Sequence, residues 1–202
     1  MLENSGTPFI FATAYYPKYM KGYVMTDLSD GERLAIEYLI DSGHRRIMFL
    51  GTNENSPSNF TRISGAKLAC ANRNLNSKDV LDVRRLPLPT FDVAYEYVKD
   101  LSDSDMDFTA VAAINDMTAM GAMKALTERG LKIPDDISII GYDNLLFSEL
   151  STVSLSTVSQ NTHEIARICV EKIMEHKTDE RIIIKPKLII RSSTGERRGN
   201  TK

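Results

Sequence analysis

The sequence predicts an α/β protein built on parallel sheets, and two stretches carry that prediction. In the first, Ala110 to Asn144, the short apolar run Ala110 to Ile114 stops at Asn115 and Asp116, whose side chains accept hydrogen bonds from the open amides of a new helix. Ala119, Ala122, Met123 and Leu126 then recur at helical spacing. Gly130 suits the left-handed residue that closes a helix, and Pro134 forbids continuation. Ile137 to Ile140 is a second apolar run, rich in β-branched residues and ended by Gly141. Strand, helix and strand at this spacing form a βαβ unit with parallel strands and a right-handed crossover. In the second stretch, the first fifty residues read strand, strand, helix, strand, again a layered pattern.

Parallel strands finish on one edge of their sheet. Asn115, Asp116, Asp143 and Asn144 therefore gather where open α/β sheets bind ligands. Taken singly, each also has a local explanation as a cap or turn residue.

In chain order, Pro8 to Thr13 reads as a buried strand, followed by an irregular segment with Tyr15, Tyr16 and Tyr19 around Pro17. Tyr23 to Thr26 is a strand. Asp27 to Ser42 is a helix with an apolar face of Leu34, Ala35, Tyr38 and Leu39, closed by Gly43, and His44 to Leu50 is a strand. A polar loop, Thr52 to Thr61, leads to a helix over 59–72 in which Gly65 and Ala66 permit close packing. Val80 to Leu86 is a strand, Phe91 to Leu101 a helix, and Leu145 to Ser154 a loop. Leu155 to Val158 is a short strand, and Thr162 to Glu175 is a helix with Ile165, Ile168, Cys169 and Ile173 on one face. Ile182 to Ile184 and Lys187 to Arg191 close the pattern as strands.

At 202 residues, 42% of them hydrophobic, the chain is long enough for a substantial core. A net charge of −2 with interspersed signs offers no electrostatic footprint for nucleic acid or a membrane surface. No apolar run approaches the roughly 18 residues of a membrane span. The first residues lack the pattern of a secretory signal. Cys70 and Cys169 lie far apart among alanines and aliphatics, as buried thiols do, which points to a reducing cytoplasm. Asn59-Phe60-Thr61 matches a glycosylation triplet that nothing else supports.

The sequence lacks G-x-G-x-x-G, G-x-x-x-x-G-K and G-x-S-x-G, and His44, His163 and His176 are scattered without metal-ligand spacing. No catalytic residue, metal or cofactor is expected. Arg62 falls in the first turn of its expected helix, where the macrodipole disfavours a cation. A guanidinium there is suited to clamp vicinal hydroxyls or a carboxylate through parallel hydrogen bonds.

Four blocks, taken together, resemble the effector-binding core of the LacI/GalR transcription regulators. They are YLIDSGHRRIMFLG; the S-x-x-x-R-x-x-G arrangement of Ser58, Arg62 and Gly65; AINDMTAMGAMKALTERGLKIPDDISIIGYDN; and the pair LSTVSQ and PKLIIRSST. The resemblance implies a type I periplasmic-binding-protein-like fold of two Rossmann-like lobes with parallel sheets and a small effector between them. One lobe would hold residues 1–52 and 161–178, the other 53–158 and 182–194. By the same resemblance Arg62 and Asp143 are the principal ligand contacts, Asn115 and Gln160 supporting ones, and Asp30 a weaker contact from the first lobe. The implied effector is a sugar or derivative, and the implied partners are a second copy of the chain and operator DNA. The dimer surface would be the helix from Met117 together with Leu145-Leu146-Phe147. The family's N-terminal helix-turn-helix and the first strands of its N-terminal lobe have no counterpart in this sequence, so DNA contact is expected only through them. Ser154 stands where the family usually has Pro, Ser156 replaces the first of two Thr, and Leu88 and Pro89 occupy the region of an aromatic that often stacks on a sugar ring. A sugar-transport binding protein shares the implied fold, and an α/β enzyme using Asp116 or Asp143 as a base is the remaining alternative.

Overall fold

The computed structural model describes residues 6–13, 22–53 and 56–197, which divide into two units. The irregular tyrosine segment expected after Thr13 lies outside the described residues.

The smaller unit joins the chain up to Asp27 with Gln160–Lys187. Phe11–Ala12 (β1), Tyr23–Thr26 (β2) and Arg181–Ile184 (β8) form a parallel sheet in the order β1-β2-β8. Only two residues of the strand expected over Pro8 to Thr13 pair in the sheet. Thr162–Met174 (α7) packs Ile165 and Cys169 on Val24, with Ile168, Ile182 and Ile184 around them, on the face its spacing predicts.

The larger unit holds Leu28–Ser159 and the chain from Leu188. Its helices are Leu28–Asp41 (α1), Pro57–Asn72 (α2), Ser77–Val80 (α3), Phe91–Lys99 (α4), Asp116–Glu128 (α5) and Leu146–Leu150 (α6). Its strands Ile47–Gly51 (β3), Leu81–Arg85 (β4), Ala110–Ala113 (β5) and Ser138–Ile140 (β6) form one parallel sheet in the order β4-β3-β5-β6. Thr157–Ser159 (β7) and Lys187–Ile189 (β9) pair with each other. Alternation along the strands sorts the core. Met48, Leu50, Val111, Ala113 and Ile139 pack with Ala94 and Val98 of α4 and with Ala119, Ala122 and Leu126 of α5. Ile47, Phe49, Ala110 and Ala112, equally buried, face the other way.

The structure does not divide at residue 52. β3 is buried at all five positions and hydrogen-bonded on both sides, to β4 and β5, so it is a central strand of the larger unit. α1 belongs with it because α2 crosses α1 at Gly65, where an added Cβ would lie 2.1 Å from the Ser29 carbonyl oxygen. Ile182 to Ile184, expected in the second lobe, pair instead with Val24 to Thr26 in the smaller unit.

Local readings shift in the same way. The buried face of α1 is Leu28, Gly31, Glu32, Ala35, Ile36, Leu39 and Ile40, while Leu34 and Tyr38 are only half-buried. The helix expected from Asn59 starts at Pro57, with the Ser56 hydroxyl accepting from the Asn59 amide at 3.4 Å. A Ser cap followed by Pro at the first helical position is a start signal that the glycosylation triplet obscured. Asn59 itself is fully buried, its side chain bonded to both backbone groups of Thr52, and is closed to glycosylation. The loop expected over 145–154 contains α6. Both cysteines are buried and free, and burial raises their pKa values. His44 is structural. Its Nδ1 meets the Thr109 hydroxyl at 3.0 Å and its Nε2 meets Ser138 Oγ at 3.1 Å, fastening the starts of β5 and β6.

Candidate ligand-binding site

Because β3, β5 and β6 run parallel, the segments that follow them leave the sheet at one edge. Tyr142 organises that edge. It is fully buried, its carbonyl accepts from the Asp116 amide at 2.7 Å, and its ring lies under the Arg62 guanidinium, 3.5 Å from Cζ to the ring centroid. Gly31 on α1 makes room for it, since a Cβ there would fall 2.2 Å from the Tyr142 hydroxyl oxygen. Through Tyr142 the side chain of Arg62 meets the segment carrying Asp143, and the Asp116 amide ties the Asn115 cap to the same segment.

Arg62 is 6% exposed, so it is not a solvated surface arginine, and the earlier start of α2 places it in the second turn, beyond the strongest macrodipole. Its Nη1 lies 4.0 Å from Oε2 of Glu32, which is 1% exposed. Arg62 Nε, Arg62 Nη1 and Glu32 Oε2 have no hydrogen-bond partner among the described residues. Burial pushes the Glu32 carboxyl up to about 7 against the opposing pull of Arg62.

Asn115 caps α5, its Oδ1 accepting from the Thr118 amide at 2.8 Å, and its Nδ2 donates to the Pro89 carbonyl at 2.9 Å. That second bond brings the Leu88-Pro89 segment to the same edge. Asp143 sits at φ 114°, a conformation that side chains rarely adopt, with its amide donating to Val158 O at 2.8 Å. Asn144 is held structurally, its Oδ1 accepting from Arg191 at 2.8 Å.

Of the five residues expected to touch ligand, Arg62, Asn115 and Asp143 are thus assembled at one edge of the larger unit. Asp30 also lies in the larger unit and not in the first lobe, on the first turn of α1, with its carboxylate held by Arg33 at 2.5 Å. Gln160 belongs to the smaller unit, where its carbonyl accepts from the Thr26 hydroxyl.

The reading of Asp116 as a catalytic base is overturned. It is fully buried, with Oδ2 accepting from the Leu145 amide (2.8 Å) and the Ser148 hydroxyl (2.6 Å), and Oδ1 accepting from the Thr157 hydroxyl at 2.6 Å. Burial raises its pKa while these bonds oppose the rise, and a carboxylate so engaged is a clamp on α6 and β7. A hollow of about 360 Å³ lies at the opposite edge, beside the starts of β3 and β4. Its charged lining is largely taken up by the ion pairs Arg46–Asp107 and Arg84–Asp82. Among the described residues no cluster of His, Cys, Asp or Glu suits a metal ion, and no helix is long and apolar enough to cross a membrane.

Sequence reasoning missed Glu32 and Tyr142. The signal for Glu32 was an acidic residue on the apolar stripe of α1; Tyr142 was hidden inside a turn signature.

A parallel α/β sheet that brings an arginine, an amide and a carboxylate residue to its carboxyl edge has the arrangement with which open α/β sheets bind ligands. The periplasmic binding protein-like domain family matches residues 36–194, and the chain belongs to that family, in the form carried by LacI-family transcriptional regulators. It is 35% identical over 174 residues to the HTH-type transcriptional repressor PurR of Haemophilus influenzae (strain PittEE), a match covering 81% of this chain and 51% of the repressor. The chain thus spans about half the length of the curated relatives it matches. A LacI family transcriptional regulator from Enterococcus faecium, solved with bound ribose, superposes with a TM-score of 0.87 at 29% identity, over 98% of this chain and 74% of that one. The transcriptional regulator CelR–cellobiose complex superposes with a TM-score of 0.76 at 25% identity, over 95% and 60%. These relatives are transcriptional regulators and not enzymes.

Proposed function

We propose that the chain is the effector-sensing and dimerisation part of a cytoplasmic LacI-type transcription regulator. It binds a small polar solute of the sugar class and controls operator binding by the intact protein. Arg62, Asn115 and Asp143 are the main ligand contacts, with Gln160 and Asp30 supporting. The observation that carries the reading is the assembly of Arg62 with the Asn115 and Asp143 segments around Tyr142 at one sheet edge. The ribose bound to one relative and the cellobiose bound to another support a sugar as the ligand class. A coupling of about 1–3 kcal/mol between effector and operator is enough for a 5- to 150-fold change in affinity.

A thermal-shift screen of neutral sugars on the full chain tests the ligand site. A sugar at 100 times its Kd adds about 2.7 kcal/mol. Arg62→Ala is expected to lose that response at the same concentration. An equal shift in the variant removes Arg62 from the site.

The dimer rests on α6. Leu146, Phe147 and Leu150 are 69, 63 and 69% exposed, and Asp116 holds this short helix beside Met117 at the start of α5. Clustered exposed apolar side chains of this size favour a self-complementary two-fold contact. Sedimentation is expected to give a dimer for the parent chain and a monomer for Phe147→Asp. A monomeric parent at micromolar concentration rejects the assignment.

A further inference from the structure

Arg62 and Glu32 approach each other without bonding. Nη1 and Oε2 are 4.0 Å apart, and both side chains are more than nine-tenths buried. Those two atoms and Arg62 Nε lack hydrogen-bond partners among the described residues. A buried guanidinium standing alone draws carboxylates and phosphates, which match its fork and its charge. A carboxylate at 4.0 Å in a poorly solvated setting cancels much of that charge while leaving the N–H directions intact. What then remains is a donor face next to an acceptor. A hydroxyl group satisfies both, whereas an anionic oxygen gains little from the neutralised arginine and is repelled by Glu32.

We propose that Glu32 is a specificity-determining residue of the ligand site: by cancelling the charge of Arg62, it makes the site select uncharged, hydroxyl-bearing solutes over carboxylates and phosphates. The inference rests on the reading of Arg62 as a ligand contact. Glu32, on α1, faces Arg62 of α2, and its neighbour Gly31 lies against the Tyr142 hydroxyl. The other charged groups on this part of α1 are engaged elsewhere: Arg33 holds Asp30 and Glu37, and Glu37 is also held by Arg73 and Asn72 at the end of α2. Because burial brings the Glu32 carboxyl to about 7, the cancellation strengthens as pH rises through neutrality.

Sulfate tests this, since it keeps its double charge from pH 6 to 8. The full chain is titrated with sodium sulfate by calorimetry, against sodium chloride at equal ionic strength. Glu32→Gln is expected to bind sulfate about tenfold more tightly than the parent at pH 8. The parent's sulfate affinity is expected to fall between pH 6 and pH 8, and that of Glu32→Gln to stay level. Equal affinities in parent and variant, or no sulfate response in Glu32→Gln, overturns the proposal. If the variant does not fold, Glu32→Ala is read by the same criteria. The double variant Glu32→Gln, Arg62→Ala separates the two layers. If it still binds sulfate, Arg62 does not face the ligand and the functional reading fails. If Arg62→Ala abolishes the sugar response while Glu32→Gln leaves sulfate affinity unchanged, only the role of Glu32 fails.

Discussion

Replacing Asp116 with alanine is expected to lower the unfolding free energy by about 3–5 kcal/mol, among the largest effects of any single change in the chain. The carboxylate accepts from the Leu145 amide, the Ser148 hydroxyl and the Thr157 hydroxyl, and Ser148 and Thr157 are themselves buried. Alanine leaves all three donors without their acceptor. Each buried orphan costs about 1–3 kcal/mol, with the hydroxyls partly able to rotate to new partners. Asparagine is expected to be milder but still destabilising, because one of its two positions becomes a donor facing a donor. Urea denaturation measures both, the midpoint falling at nearly constant slope. The loss should also loosen α6, so limited proteolysis is expected to cut the variant between Leu145 and Val153 before any other site. A loss below about 1 kcal/mol would mean that the three bonds are replaced by water at little cost.

The second large effect is a stability that depends on pH through Glu32. Its carboxyl rises from 4.5 to about 7 on folding because the side chain is buried, with Arg62 opposing. A group whose pKa is raised in the folded state favours folding fully below its unfolded value. Its contribution is lost as pH climbs through the folded value. The window is therefore pH 4.5 to about 7, and at about 1.4 kcal/mol per pH unit the loss across it is about 3 kcal/mol. Glu32→Gln keeps the shape and removes the titration, so it is expected to be more stable than the parent at pH 8 and to show a flatter profile. His44 works in the opposite sense. Burial is the main cause that holds its pKa below 6.5, so its contribution is present above pH 6.5 and is lost on acidification. Denaturation of His44→Gln alongside Glu32→Gln, from pH 5 to 8, separates the two slopes. A parent more stable at pH 8 than at pH 5.5, with Glu32→Gln showing the same profile, would count against a buried titrating Glu32.

The stretch from Ala110 to Asn144 was legible nearly residue by residue because its signals are local. An apolar run too short for a helix, an Asn cap, a helical stripe, Gly130 in the left-handed region and Pro134 each act within a few residues of themselves. Parallel pairing of β5 with β6 then follows from the right-handed crossover, and with it the convergence of Asn115 and Asp143 on one edge. The roles at that edge were less legible. Asp116 looked as free to act as Asp143, since a sequence does not display which donors will surround a carboxylate. Ser148 and Thr157, more than thirty residues away, decide that.

The chain's own sequence determined the α/β class, the parallel sheets and the convergence of Asn115 and Asp143 on one sheet edge. Periodicity, caps and crossover handedness are properties of neighbours along the backbone. Only the tertiary structure decided that β3 is a central strand of the larger unit, that α1 packs with α2 at Gly65, and that Tyr142 lies beneath Arg62 with Glu32 4.0 Å away. Those outcomes depend on which surfaces meet after the chain has crossed over. Burial and the partners it brings set the charge and freedom of a side chain, and neither is written in the residues next to it.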